Sequence, residues 1–300
     1  MDELTAAGIT DPDLRASYEE CKRLNSLHGK TYYLATLLLP KAKRPFVHAL
    51  YGFARYADEI VDDLASELSV EEKAEVLSKW GDGVLADLKR GASQDHVGRA
   101  LLDTVNRFEI PHQHFEAFLQ SMTMDLTVQE YESYEDLLEY VYGSAAVIGL
   151  EMVPILGPLH NDAFEAAKKL GIAFQLANFI RDVDEDLDRG RVYLPLRELG
   201  QFGVTREMLE ERVLTLEIIE ALKFQIARVR QLQAEAAVGI TMLEASSRPC
   251  IKAASTLYCG IVDEVERIGY DIFNHRAKTS TSRRIRVAGA AFVKRQLISR

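Results

Sequence analysis

Cysteine and positive charge are both scarce in this sequence of 300 residues. The three cysteines, Cys21, Cys250 and Cys259, are an odd number and form no pair with metal-ligand spacing, so reduced thiols in a cytosol are expected. Lys and Arg number 36 against 46 Asp and Glu, and the resulting net charge of −10 argues against nucleic-acid binding. An acidic protein with an anionic substrate needs metal ions or local clusters of Lys and Arg to hold that substrate.

Sustained alternation of apolar and polar residues is also absent, and nearly every window follows the 3.6-residue period of a helix. The hydrophobic fraction of 47% is enough for a large core. These features predict an all-α bundle around a central cavity, folded as a single domain over residues 1–300. The N-terminus has no basic segment followed by an apolar one, so a signal peptide is not expected.

Only one segment approaches the length and hydrophobicity of a membrane span, namely Val141 to Leu159. Its single charge, Glu151, and its prolines, Pro154 and Pro158, favour a buried core helix instead. The first 20 residues are predicted to form a loose or short helical lead, and residues 279–300 a basic C-terminal helix. Other predicted helices cover residues 69–90, 96–109, 112–130, 134–150, 161–188, 205–210, 214–244 and 249–269.

The most informative stretch begins at Gln175 and continues to Pro195. Gln175, Asn178, Asp182 and Asp186 stand at i, i+3, i+7 and i+11, which places four polar side chains on one face of a helix. The two aspartates, as i,i+4 neighbours, have Cβ atoms about 6 Å apart and repel each other unless a cation lies between them. Mg²⁺ suits this position because it takes oxygen ligands and usually shares them with substrate phosphates.

A second acidic pair, Asp58 and Asp62, has the same i,i+4 spacing, and Arg55 lies on the same helical face. One such pair alone is typical of a solvated helix surface. Two pairs far apart in sequence, each with an arginine beside it, favour a single shared site at which the two helices meet.

Together these motifs resemble the squalene and phytoene synthase family. The resemblance rests on Arg-x-x-Asp-Glu-x-x-Asp from Arg55, Gln-x-x-Asn-x-x-Arg-Asp-x-x-x-Asp from Gln175, and Arg-Gly-Arg-x-Tyr-Leu-Pro from Arg189, and it extends from about His28 to about Arg276. Members of this family join two allylic diphosphates head to head. The resemblance therefore implies an all-α isoprenoid-synthase fold in which each aspartate pair holds metal ions for one diphosphate.

The resemblance also implies roles for individual residues. It implies two or three Mg²⁺ or Mn²⁺ ions, with the metal ligands Asp58, Asp62, Asn178, Asp182 and Asp186. Tyr142 and Tyr258 join the four aspartates as catalytic residues, since tyrosine ring faces can stabilise carbocations. The substrate-binding positions that it implies are His28, Thr31, Arg55, Gln175, Asn178, Arg181, Arg191, Tyr193, Arg276, Ala145, Ala146 and Gly149.

Several of these residues have a second interpretation. Arg181 lies about 100° round the helix from Asp182 and can form a salt bridge instead of binding phosphate. Arg189 and Arg191 lie in a loop that can close over the phosphates, or they are simple surface charges. The small residues of the segment 143–149 leave room for a polyprenyl chain, and they equally allow two helices to pack closely.

The resemblance is closest to bacterial phytoene synthase, although residues 144–146 are Ser-Ala-Ala where the family commonly has Val-Ala-Gly. It implies condensation of two geranylgeranyl diphosphates through prephytoene diphosphate to 15-cis-phytoene, without NADPH. Two alternatives stay open: the same chemistry on farnesyl diphosphate, giving dehydrosqualene or squalene, and a non-catalytic relative that kept the fold for binding or assembly. A cytoplasmic location is expected, with peripheral contact to the inner face of the membrane through the basic C-terminal helix.

Overall fold

The computed structural model describes residues 1–62 and 68–278 together with positions 287 and 289, and it describes Asp62 by its backbone alone. Throughout these residues the regular elements are helices, and extended pairing is limited to isolated bridges, Glu130–Val192 and Pro158–Leu243. The predicted all-α class is confirmed. The basic helix predicted within residues 279–300 falls almost entirely outside the described residues, so this helix and its membrane contact stay predictions, as does the single-domain organisation.

The helices follow one another with short connections. A π-helical turn, Tyr142–Ala146, lies between α8 and α9, and a 3₁₀ segment, Val238–Met242, follows α13. The α-helices of the described residues are α1 Glu3–Ala6, α2 Pro12–His28, α3 Lys30–Thr36, α4 Arg44–Asp62, α5 Val70–Arg90, α6 His96–Phe108, α7 His112–Thr127, α8 Tyr134–Val141, α9 Val147–Leu156, α10 Asp162–Asp188, α11 Leu196–Gly200, α12 Arg206–Glu210, α13 Leu216–Ala237, α14 Arg248–Tyr258 and α15 Ile261–Arg267.

Local sequence signals explain where the clearest of these helices begin and end. Before α5, the Ser69 hydroxyl accepts a hydrogen bond from the Glu72 N–H while the Glu72 carboxylate accepts one from the Ser69 N–H. The helix ends at Gly91, whose φ of +75° is the left-handed conformation that favours glycine. Before α6, the Asp95 side chain accepts a hydrogen bond from the Gly98 N–H. The limits predicted for these two helices are therefore close to those observed.

Three segments differ from the predicted pattern. Residues 12–20 belong to α2, whose Ser17 and Tyr18 are buried, although their polar composition predicts a loose or short helical lead. The helix predicted over 214–244 becomes a 3₁₀ segment after Ala237, and the one predicted over 249–269 is divided between α14 and α15. The hydrophobic period continues across both breaks, so it cannot show where the hydrogen-bonding pattern changes.

The apolar run predicted as one buried helix consists of α8, the π-helical turn and α9. The turn packs very closely on α7: a β-carbon added to Gly143 would lie 2.1 Å from the Ala117 carbonyl oxygen. By length and composition the run Tyr134–Leu156 is apolar enough to cross a membrane, but 56% of its most apolar window is buried inside the fold. The close packing on α7 agrees with the predicted core helix.

The side chain of Glu151 is the least expected feature of this core. Glu151 is fully buried, and neither carboxylate oxygen has a hydrogen-bond partner among the described residues. Burial raises the pKa of Glu151 well above its ordinary value of 4.5. Because this pKa is raised, the folded protein holds this proton at pH values above about 4.5 at which the unfolded chain loses it. This contribution to stability is full below that pH and falls as the pH rises.

We expect the Glu151→Gln variant, which cannot ionise, to have a free energy of unfolding about 2 kcal/mol or more above that of the wild type at pH 8. The difference should shrink at pH 6, as measured by urea denaturation at both values. Glu165→Gln, on the exposed surface of α10, is the matched control and should change neither value appreciably. A wild-type stability that does not fall between pH 6 and pH 8 relative to Glu151→Gln would contradict this account.

Candidate active site

Two connected cavities lie among the helices. The first, called the chamber here, has a volume of about 420 Å³ and carries polar residues of α4, α7, α10 and the segment after α10. The second, called the tunnel, has a volume of about 230 Å³ and is lined almost wholly by apolar residues. Four residues line both cavities and define the neck between them: Tyr32, Ser144, Ile148 and Gln175. A charged group in the chamber can therefore be joined directly to an apolar tail in the tunnel.

Helix α10 brings the second motif to the chamber in the way that its spacing predicts. Gln175, Asn178, Asp182 and Asp186 all line this cavity. The side-chain oxygen of Asn178 is buried and has no hydrogen-bond partner among the described residues. Because a buried acceptor without a partner costs about 1–3 kcal/mol, this oxygen is suited to a ligand that supplies a donor or a cation.

Asp186 is a deeply buried carboxylate of the chamber, only 8% exposed. Burial and, after it, the charge of Asp182 raise the pKa of Asp186 to about 8, although Arg189 and Arg191 act in the opposite direction. The ionised form therefore needs additional positive charge nearby. A bound divalent cation would supply that charge.

The Asp182 carboxylate is held by two guanidinium groups. Arg181 donates to it through Nε, at 2.7 Å, and through a terminal nitrogen, and Arg276 donates to the same carboxylate at 3.1 Å. Arg276 also pairs with Glu185 at 2.5 Å. The salt bridge considered for Arg181 is therefore present, and the same guanidinium also lines the chamber, where an anion would meet it.

Helix α4 contributes Arg55 and Asp58 to the chamber. The Arg55 guanidinium donates to Asp58 at 2.7 Å, and its Nε is buried without a hydrogen-bond partner among the described residues. A guanidinium with a donor to spare is suited to a phosphate oxygen, because its planar fork can bind two acceptors at once. The side chain of Asp62, the other half of this predicted pair, lies outside the described residues.

The segment after α10, residues 189–197, is called the strap here because backbone hydrogen bonds fasten it to the chain after α7. The Val192 N–H donates to the Gln129 carbonyl at 2.8 Å, and the Leu196 N–H donates to the Tyr131 carbonyl at 3.0 Å. The sequence predicts a loop that closes over the phosphates or a simple charged surface. The backbone hydrogen bonds hold the strap against the chamber, and Arg189 and Arg191 both line it, so closure over phosphates stays a prediction.

Asp125 of α7 lines the chamber and is not among the predicted site residues, although Met124-Asp125-Leu126 contributes to the resemblance to phytoene synthase. The Tyr193 hydroxyl donates to its carboxylate at 2.5 Å, and the Arg191 guanidinium lies 3.7 Å from the same carboxylate. The Tyr193 ring stacks on Phe179 with 4.2 Å between ring centroids. Asp125 therefore positions two strap residues at the chamber. In the sequence Asp125 is one acidic residue in an apolar stretch of helix. Its role is apparent only when the structure shows α7 beside the strap.

We expect Tyr193→Phe to lower kcat about tenfold and the free energy of unfolding by about 1–2 kcal/mol, because a buried carboxylate loses a hydrogen bond. Tyr131→Phe is the matched control. Tyr131 is buried beside Tyr193, at 6.1 Å between ring centroids, but its hydroxyl has no partner among the described residues. Steady-state kinetics and urea denaturation of both variants test this, and equal effects in the two would contradict the role of Asp125.

The tunnel wall contains the small residues that the sequence predicts for a polyprenyl chain. Ala145 and Gly149 line the tunnel, whereas Ala146 is fully buried and is not part of its wall. A β-carbon on Gly149 would lie 2.5 Å from the Ala167 carbonyl oxygen of α10. Both interpretations of the small residues therefore hold, since they let two helices meet closely and keep the tunnel open beside the contact.

An aromatic pair stands in the tunnel near the neck. The ring of Tyr258 stacks on Phe174 with 4.8 Å between centroids, and both residues line the tunnel. Ring faces in an enclosed apolar space can stabilise a carbocation without offering it a nucleophile. The position of Tyr258 therefore suits the role that the family resemblance implies.

Besides Ala146 and Arg276, three predicted site residues line neither cavity in the described part of the chain. His28 is exposed, Thr31 is half-buried, and Tyr142 is 39% exposed. Residues of a π-helical turn take different angular positions from those of an α-helix, and here Ser144 rather than Tyr142 reaches the neck. His28 and Thr31 are the last residue of α2 and the second residue of α3, so the change of direction between these helices determines their placement.

The chamber residues fit a divalent cation that is shared with a ligand. Within the described residues no group of three or more His, Cys, Asp or Glu side chains could hold a metal ion by itself. The neighbouring Asp182 and Asp186, with the unpaired oxygen of Asn178, offer hard oxygen ligands on one helical face. Additional oxygens from a phosphate would complete such a coordination sphere.

A family model, named relatives and a solved structure all connect this chain with the same family of enzymes. A sequence model of the family described as squalene/phytoene synthase matches residues 26–283. The 15-cis-phytoene synthase of Synechococcus elongatus is 34% identical over 284 residues, 91% of each chain. Phytoene synthase 1 of Arabidopsis thaliana chloroplasts is 36% identical over 288 residues, 94% of this chain and 67% of that one. A dehydrosqualene synthase crystal structure superposes with a TM-score of 0.86 at 26% identity, covering all of both chains.

An all-helical fold, an acidic chamber and an apolar tunnel that opens into it define an isoprenoid synthase. Within that class the matching sequence model covers most of the chain and the relatives are collinear with it. The chain belongs to the squalene/phytoene synthase family, whose members are prenyltransferases.

Proposed function

We propose that the protein joins two molecules of geranylgeranyl diphosphate head to head, through prephytoene diphosphate, to 15-cis-phytoene. Each of the two steps releases one diphosphate and one proton, so no reductant is consumed. The observation that supports this proposal most directly is the neck, where a chamber suited to diphosphate meets a tunnel suited to a hydrocarbon. The names of the relatives from Synechococcus elongatus and Arabidopsis thaliana point to the same product.

Two or three Mg²⁺ or Mn²⁺ ions would be held by Asp58, Asp182, Asp186 and Asn178, with Asp62, and would act as Lewis acids on the departing diphosphate. Phosphate binding and the exclusion of water depend on residues of this chain. Arg55, Arg181 and Arg191 line the chamber and bind phosphate oxygens. The tunnel excludes water from the reacting carbons, so that proton loss rather than capture by water ends the reaction.

The second candidate is the same condensation with farnesyl diphosphate. It is favoured by one observation, the TM-score of 0.86 with a dehydrosqualene synthase structure. A non-catalytic role as a binding or assembly protein is the more remote alternative. The acidic residues of α10 argue against that role, because an assembly protein has no need for neighbouring carboxylates that repel each other inside a cavity.

Incubation of the purified protein with Mg²⁺ and either substrate distinguishes these functions. We expect geranylgeranyl diphosphate to give phytoene with a kcat/KM at least about tenfold above that for farnesyl diphosphate. Added NADPH should change neither the rate nor the product. A requirement for NADPH, or a preference for farnesyl diphosphate, would move the assignment to the shorter substrate, and absence of diphosphate release would favour the non-catalytic role.

A further inference from the structure

The tunnel has two walls that run in opposite directions. One wall belongs to the π-helical turn and α9, and the other to α10. Two close contacts align them: a β-carbon on Gly149 would lie 2.5 Å from the Ala167 carbonyl oxygen, and one on Gly171 would lie 2.5 Å from the Ala145 carbonyl oxygen. The two residue numbers have the same sum in both contacts. This is expected when two helices run antiparallel in a constant register. These backbone contacts fix the depth of every lining position relative to the neck.

The same alignment allows the depth of the tunnel to be measured along the helices. On the wall of the π-helical turn and α9, lining residues extend from Ser144 at the neck to Leu156, and on α10 they extend to Ala163, which the same register places level with Val153. The interval from Ser144 to Leu156 is 12 residues, which corresponds to about 18 Å at 1.5 Å per residue. From ordinary carbon–carbon bond lengths, an extended geranylgeranyl tail measures about 19 Å and a farnesyl tail about 14 Å. The depth therefore matches four isoprene units.

The deep end of the tunnel, called the floor here, is held in place by hydrogen bonds to its backbone. Leu156 belongs to this floor, and its carbonyl oxygen accepts hydrogen bonds from the Lys43 ammonium at 2.8 Å and the Ser247 hydroxyl at 2.7 Å. The Glu244 N–H donates to the Gly157 carbonyl at 2.8 Å, next to the isolated bridge that follows α9. These three hydrogen bonds hold the backbone of Leu156 and Gly157 against the segments that carry Lys43, Glu244 and Ser247.

We propose that this fastened floor limits the tail to four isoprene units, and that Val153 and Ala163 are the residues that decide between four units and three. The register set by the two glycine contacts places Val153 opposite Ala163. Val153 lies nine residues beyond Ser144, about 14 Å from the neck, where a three-unit tail ends. Both residues line the tunnel and both are buried. This assignment rests on the function proposed above and names its specificity-determining positions.

Larger side chains at these positions test the proposal. We expect Val153→Phe and Ala163→Leu to lower kcat/KM for geranylgeranyl diphosphate at least about tenfold while that for farnesyl diphosphate changes less than about threefold. Ala163→Val adds only two methyl groups and keeps the test valid if the larger side chains prevent folding. Ala237→Leu is the matched control, because Ala237 is exposed beside the tunnel residue Ala236, and its substrate preference should equal that of the wild type.

The outcomes separate this proposal from the function on which it rests. A wild-type protein that makes no product from geranylgeranyl diphosphate would refute the proposed function. If the wild type makes phytoene and the folded variants, as judged by melting temperature, keep the wild-type ratio of the two kcat/KM values, the assignment of Val153 and Ala163 is refuted. An equal shift of that ratio in Ala237→Leu would refute it as well.

Discussion

Turnover of the Asp182→Asn and Asp58→Asn variants is expected to fall about a thousandfold or more. Each substitution removes a charge from the chamber at the place where a cation would meet the departing diphosphate. Loss of several kcal/mol of transition-state stabilisation corresponds to a rate decrease of this size. Release of diphosphate under saturating substrate and Mg²⁺ is the measurement, and circular dichroism verifies that helicity is unchanged.

The matched control for Asp182→Asn is Asp188→Asn in the last turn of the same helix. Asp188 pairs with Arg212 at the surface, is 64% exposed and does not line the chamber. Its substitution removes the same charge from α10 without touching the proposed metal ligands, so turnover should stay within about twofold of the wild type. Comparable losses in the two variants, or a wild-type rate in Asp182→Asn, would be incompatible with the proposed metal site.

Gly143→Ala is expected to destabilise the protein by about 3 kcal/mol or more. The added β-carbon would lie 2.1 Å from the Ala117 carbonyl oxygen and 2.2 Å from the Ser121 hydroxyl oxygen. A backbone carbonyl in a packed helix cannot move away cheaply, so α7 and the π-helical turn would have to separate. That separation would also displace Ser144 from the neck. The measurements are the urea midpoint and kcat, and both should fall.

Gly83→Ala is the corresponding control, because Gly83 is an exposed residue inside α5 and a β-carbon there would have no neighbour within 4 Å. Alanine has the higher helix propensity, so this substitution should stabilise the protein by up to about 1 kcal/mol. The two substitutions are chemically identical and are expected to have opposite signs. Two small effects of the same sign would show that the contact with α7 is not tight in solution.

The polar face of α10 illustrates what the sequence alone can establish. The spacing of Gln175, Asn178, Asp182 and Asp186 is a local property of one helix, and these residues meet at the chamber as predicted. The residues of other helices that meet them at the chamber cannot be predicted in the same way. Asp125 reaches the same chamber from a helix that ends about fifty residues earlier, and no local periodicity contains information about that contact.

The π-helical turn and the strap show the same limit in another form. A π-helical turn has the composition of the helices on either side, so the sequence does not reveal it. The family resemblance implies a catalytic Tyr142, and the structure brings Ser144 to the neck. The strap is held by backbone hydrogen bonds to residues 129–131, and such bonds depend little on side-chain identity. A basic loop and a fixed basic segment therefore look alike in sequence.

The fastening of the tunnel floor has a consequence for the nascent chain. Leu156 accepts one of its two hydrogen bonds from Ser247, which is synthesised 91 residues later. At about 5–20 residues per second, some 5–20 seconds pass before the ribosome has made this second donor. During that interval α9 and the first turns of α10 have no covering 3₁₀ segment and expose an apolar groove. Co-translational chaperones that bind apolar surfaces would therefore meet this protein through the same residues that later hold its substrate.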